Sequence, residues 1–247
     1  MPEALHPEAP YNPKDIVRIL ECLVDLCPGV TELEMYPQYP GRIVSASLDF
    51  AYDCHRLEVF HVNPVLYGPQ DPGLISYLAT RPHLRKVCLS MDEETAQDLS
   101  FLSAPPVLHP FSSLQILFLT APEISACRSF LQLLGDCRLF SIKFEVFRRP
   151  LGEDVYWLFD TMRRHCARHT LHAFHLNQYG LCESDEPQPH PTPEYTISLP
   201  AIQPALYFSN MRVFLLDLPL YGWLSDEHLR EIADAWPGLA NFAFFET

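Results

Sequence analysis

Residues 114–119 read Leu114-Gln115-Ile116-Leu117-Phe118-Leu119. An apolar residue is followed three places later by a second, and two places after that by a third. The same spacing returns in Val30-Leu33-Met35, Leu57-Phe60-Val62, Leu84-Val87-Leu89, Leu139-Ile142-Phe144, Leu171-Phe174-Leu176, Met211-Phe214-Leu216 and Leu239-Phe242-Phe244. The first members stand at 30, 57, 84, 114, 139, 171, 211 and 239, so the interval stays between 25 and 40 residues. A short segment with that periodicity, rich in β-favouring residues, predicts a strand.

Eight such segments at a period near 28 residues match the L-x-x-L-x-L core of a leucine-rich repeat. One repeat cannot bury its apolar face alone, so copies must stack. The segments between the triplets carry helical spacing. Before the first rung Ile16, Ile19, Leu20, Leu23 and Leu26 form one stripe; Leu74, Ile75 and Leu78 precede the third. Ile124, Phe130, Leu131 and Leu134 precede the fifth; Val155, Leu158, Phe159 and Met162 follow an acidic start before the sixth. Before the last, Ser225 is an expected N-cap, with Leu229, Ile232 and Ala233 turned inward. The expected fold is α/β: one leucine-rich-repeat solenoid over residues 1–247, a curved parallel sheet on the concave side and helices on the convex side.

Three stretches depart from the period. Residues 37–54 and 91–113 make long connections. Residues 178–200, QYGLCESDEPQPHPTPEYTISLP, are rich in proline and acid, and are expected to form an exposed loop insertion. Neither end shows the polar cap with which solenoids finish. The last rung, NFAFFET, would leave phenylalanines at a bare edge, so the chain reads as a piece of a longer protein, a truncated product, or one that pairs there.

The chain has 247 residues and a net charge of −14. Its basic residues form no stripe, which argues against nucleic acid. No apolar run reaches a membrane span, and the start MPEALHPEAPYNPKD lacks the pattern of a secretory signal. The expectation is a cytoplasmic or nuclear protein whose eight cysteines are thiols.

Catalytic and cofactor signatures are missing: no G-x-S-x-G, P-loop, G-x-G-x-x-G or H-E-x-x-H occurs. The acidic pairs Glu93-Glu94 and Asp226-Glu227 suit helix starts. The segment HCARHTLHAFH holds His165, Cys166, His169, His172 and His175. His165 and His169 could share a helix face as metal ligands, although the helix should end before the strand. Cys22 and Cys27 lack a second pair to complete a zinc site. The reading is therefore no catalytic, cofactor or metal residue. A metal protein or enzyme built on the histidines is the alternative of a different class.

The outward positions of the strands carry the functional expectation. One row reads Glu34, His61, Cys88, Phe118, Lys143, His175, Leu215 and Ala243. The row before it reads Glu32, Val59, Lys86, Ile116, Ser141, Ala173, Val213 and Asn241. Ile116, Phe118, Val213 and Leu215 are apolar where solvent is expected, which marks an interaction site unless an insertion covers them. Val59, His61, Cys88, Ile116, Phe118, Lys143, His175, Val213 and Leu215 form the candidate protein-binding face.

The stretch 199–244, LPAIQPALYFSNMRVFLLDLPLYGWLSDEHLREIADAWPGLANFAF, resembles the closing repeats of F-box/leucine-rich-repeat proteins of mushroom-forming fungi. Phe208-Ser209-Asn210-Met211-Arg212 and Ala235-Trp236-Pro237 carry the likeness, and RPHLRKVCLS and LCPGVTELEM fit it loosely. The resemblance implies substrate recognition for an SCF-type ubiquitin ligase. It implies a Skp-type adaptor as partner only where an F-box precedes the repeats, and just 29 residues precede the first triplet here. The alternative of the same breadth is a free-standing repeat scaffold or inhibitor.

Overall fold

The computed structural model describes residues 13–35, 49–62, 72–91, 95, 110–134, 137–178, 196–218, 221–222 and 224–245. Each of the eight triplets lies in or at the start of a strand: β1 (Glu32–Met35), β2 (Val59–Val62), β3 (Lys86–Ser90), β4 (Ile116–Ala121), β5 (Ser141–Val146), β6 (Ala173–Gln178), β8 (Val213–Asp217) and β10 (Asn241–Phe245). They pair in chain order into one eight-stranded sheet, β1-β2-β3-β4-β5-β6-β8-β10, and every pair is parallel. The register aligns the middle members of the triplets, from Leu33↔Phe60 through Leu117↔Ile142 to Phe214↔Phe242. Two short strands, β7 (Thr196–Ile197) and β9 (Tyr221–Gly222), pair separately.

The entry to five of the eight rungs is built on the same turn. Val30, Leu84, Leu114, Met211 and Leu239, all first members, donate their amides to the carbonyl three residues back, at 3.0–3.4 Å. The carbonyl of the next residue then accepts two amides from the following rung. Thr31, Glu58, Arg85, Gln115, Phe140, His172 and Arg212 each do so, at 2.7–3.2 Å. The backbone groups at the strand starts are thereby satisfied without side chains, so the turn tolerates varied sequences.

Helices α1 (Pro13–Leu26), α2 (Pro72–Ala79), α3 (Ile124–Leu133), α4 (Gly152–His165), α5 (Leu199–Ile202) and α6 (Asp226–Ala235) precede rungs 1, 3, 5, 6, 7 and 8. Leu74, Ile75, Leu78, Phe130, Leu131, Val155, Leu158, Phe159 and Met162 enter one core with the triplet side chains. Glu153 and Asp154 open α4 while Arg163, Arg164 and His165 close it, which matches the helix dipole at both ends. Ser225 caps α6, its Oγ accepting the His228 amide at 3.3 Å. Toward the last rungs the core becomes aromatic. Phe144, Phe174, Phe214 and Phe242 stand in sequence at 6.1, 5.7 and 6.0 Å, and Trp236 packs on Phe214 at 4.7 Å. Phe111 adopts φ 55°, and its buried ring rests against Phe130 at 5.6 Å.

Three expectations need correction. In α1, Ile19 and Leu26 are exposed while Leu20 and Leu23 face the core. In α6, Leu229 and Ala233 are exposed and Ile232 alone is buried. Both helices lie at the ends of the sheet, each with a neighbour on one side among the described residues, so a full apolar stripe has nothing to meet. The segment 178–200 is shorter as a loop than its composition implies: Gln178 completes β6, Thr196–Ile197 is β7, and Ile197 and Leu199 are buried. Residues 179–195 lie outside the described residues, as do most of 37–54 and 91–113. No helix among the described residues is long and apolar enough to cross a membrane.

Candidate protein-binding face

Side chains alternate across a strand, so the residues flanking each buried triplet member project from the opposite face of the sheet. The register places Val59, Lys86, Ile116, Ser141, Ala173 and Val213 in one row there. His61, Cys88, Phe118, Lys143, His175 and Leu215 form the next. A third row, Ser90, Thr120, Glu145, Asn177 and Asp217, follows on β3, β4, β5, β6 and β8, and the register carries it on to Phe245 of β10. The sequence reading stopped at the triplet and missed this row, although the same alternation, continued by two residues, reaches it.

The group around Phe118 is the most developed. Lys143 lies opposite Phe118 in the register, and its Nζ stands 4.5 Å from the ring centroid. The same ammonium reaches Glu145 Oε1 at 2.8 Å. Glu145 is buried, and its other oxygen accepts from Thr120 Oγ1 at 3.5 Å. The lysine is therefore held over the aromatic face by a carboxylate that is fixed in turn. Ile116, on the same strand face as Phe118, is 38% exposed. Val213 and Leu215 form a second, half-buried apolar spot three strands away, about 14 Å along the sheet. Ser141, Lys143, Ala173 and His175 separate the two, so the four apolar residues make two spots and not one patch.

Toward the first strands the face is charged. Lys86 Nζ lies 3.4 Å from Glu34 Oε1, and His61 Nδ1 lies 3.9 Å from the same oxygen. Burial and Lys86 hold the His61 pKa below the ordinary histidine value, against an opposing pull from Glu34. His175 is lowered likewise by burial and Lys143, against Asp217 and Glu145. Both shifts favour the neutral imidazole.

Cys88 needs correction as a contact residue. It occupies its row between His61 and Phe118 but is only 1% exposed. A small side chain between two rings is recessed beneath them. Burial pushes its thiol up to about 12, with Glu145 adding to the rise and Lys86 and Lys143 opposing it, which makes it a poor nucleophile.

Comparison with protein-family models, curated proteins and solved structures finds no match. The geometry of the face therefore stands by itself. One further feature lies at its margin, where sequence reading gave no warning. Phe140 is 49% exposed and stacks on His172 at 4.5 Å, on the carbonyl-sharing positions of neighbouring rungs.

The histidine-rich segment is dispersed by the fold. His165 ends α4, His169 Nδ1 meets Ser209 Oγ at 3.0 Å, and His172 Nδ1 donates to the Thr170 carbonyl at 2.6 Å. His175 projects from β6. Among the described residues no group of three or more His, Cys, Asp or Glu could hold a metal ion. Cys22 and Cys27 are exposed on and just after α1. Asp226 and Glu227 lie in the first turn of α6.

Proposed function

We propose that the chain is a leucine-rich-repeat solenoid whose concave sheet face binds a protein without catalysing a reaction. The observation that carries this reading is the Ile116–Phe118–Lys143 group: an exposed aliphatic side chain, an aromatic ring and a cation fixed above it on the sheet face. Aromatic anchors beside charged groups concentrate binding energy at protein interfaces. Chain-order parallel pairing and the recurring shared carbonyl support the repeat reading. The resemblance over 199–244 extends the proposal to the substrate-recognition part of an F-box-like receptor of an SCF-type ubiquitin ligase. In that setting a Skp-type adaptor would bind an F-box joined to these repeats, and the sheet face would hold the protein to be modified.

The test is photo-crosslinking in cells. A benzophenone amino acid replaces Ile116 on the sheet face or Glu227 on α6. The proposal expects discrete protein adducts from position 116 and none from 227. Adducts from 227 alone would overturn it.

A further inference from the structure

The turn that leads from α3 into β5 meets the turn that leads from α4 into β6 at two cysteines. Cys137 and Cys166 are partners in an isolated parallel bridge, and the Ala167 amide donates to the Cys137 carbonyl at 3.3 Å. Bridged parallel neighbours have Cα atoms about 4.8 Å apart, inside the roughly 4.4–6.8 Å that a disulfide spans. Paired residues of a parallel bridge project to the same side, which sets the two cysteine side chains next to each other. The Cys137 thiol also reaches the His165 carbonyl at 3.7 Å. No other described cysteines are bridged in this way. Cys54, Cys88 and Cys127 are buried as well, and no side-chain hydrogen bond to another cysteine accompanies them.

We propose that Cys137 and Cys166 form an oxidation site, at which a peroxide converts the dithiol into an intrachain disulfide that ties the β5 rung to the β6 rung. Cys166, 6% exposed against 1% for Cys137, is the less buried of the two residues, and the sequence of steps starts there. Its thiolate attacks one peroxide oxygen, giving a sulfenic acid and hydroxide. The Cys137 sulfur then displaces that oxygen as water, and the S–S bond forms. Two thiols and one peroxide become one disulfide and two waters. The Cys137 contact and burial hold the Cys166 thiol well above its ordinary pKa, so little thiolate is present and the first step is slow. The closed loop of roughly 30 residues contains β5 and α4, hence Lys143 and Glu145. Oxidation would fix the rung that carries the cation of the candidate face, and this holds whatever that face binds.

The test treats the full chain with hydrogen peroxide, blocks free thiols with iodoacetamide in denaturant without reductant, and maps the digest by mass spectrometry. The inference expects a cross-linked peptide pair containing Cys137 and Cys166, two hydrogens lighter than the sum and split by dithiothreitol. The oxidised chain should melt about 5–10 °C higher, as closure of a loop of this length implies. Cys137→Ser should abolish both effects and leave Cys166 open to a dimedone label. Recovery of Cys137 and Cys166 as alkylated thiols, as separate sulfinic acids, or cross-linked to other cysteines would overturn the inference. The map is made on the unaltered chain, so the result stands even where Cys137→Ser fails to fold.

Discussion

Leu117 and Phe118 are neighbours in one strand, and truncating them should have opposite kinds of consequence. Leu117 is 1% exposed, lies between Val87 and Ile142 in register, and sits in the common core. Leu117→Ala removes three buried carbons from a site whose neighbours are fixed by sheet hydrogen bonds on both sides, so collapse is limited. The expected loss is about 2–5 kcal/mol, or roughly 5–15 °C in melting temperature for a chain of this size. Phe118 is half-buried on the opposite face, where water can replace the ring and no cavity remains. Phe118→Ala loses part of an apolar surface and the contact with Lys143, about 1 kcal/mol. Urea unfolding with an unchanged m-value separates the two. A loss of 3 kcal/mol or more for Phe118→Ala, the range of core phenylalanines, would refute the assignment of faces.

Other outcomes follow from the same contacts. Lys143→Met strands the buried Glu145 carboxylate on the Thr120 hydroxyl and should cost roughly 1–2 kcal/mol, less than a fully buried pair because the lysine side chain is 38% exposed. Adding Glu145→Gln should recover most of that loss in a double-mutant cycle. His61 and His175 have lowered pKa values in the folded chain, so the unfolded chain binds more protons just below pH 6.5. Stability should therefore be full above that value and fall as pH drops toward the folded pKa values, and His175→Gln should flatten the fall in chemical denaturation across pH 5–7. Trp236 is buried on Phe214, and its Nε1 has no hydrogen-bond partner among the described residues. Trp236→Phe should cost at most about 1.5 kcal/mol, against about 3–5 kcal/mol for Trp236→Ala.

The place and register of the strands were legible, because a buried triplet has one face to fill and a one-residue slip would expose it, but not their ends: each first triplet member precedes its strand, and six strands run past the triplet. The inner faces of α2, α3 and α4 were legible for the same reason: each packs between neighbours, and its apolar spacing reports the contact. The end helices broke the rule. Ile19, Leu26 and Leu229 carry the spacing and are exposed, with no second neighbouring helix among the described residues. Composition misjudged 196–200, since prolines around Ile197 and Leu199 say nothing of whether those two side chains are buried. On the outward face the positions of Phe118 and Lys143 followed from register alone. The recess of Cys88 depends on the size of its neighbours, and the clamp of Glu145 on Lys143 depends on strand length beyond the repeat. The Cys137–Cys166 contact joins two turns at different offsets from their rungs, which no single period reveals.

Binding by the sheet face is the central claim, and the affinity of one crosslinked partner for three forms of the chain tests it most directly. Phe118→Ala should weaken the Kd by roughly tenfold or more, as loss of an interface anchor does, while the melting temperature moves by only a few degrees. Glu227→Ala, on the exposed first turn of α6, should leave both unchanged. Wild-type affinity for Phe118→Ala together with weakened binding by Glu227→Ala would contradict the account and move the site to the helices.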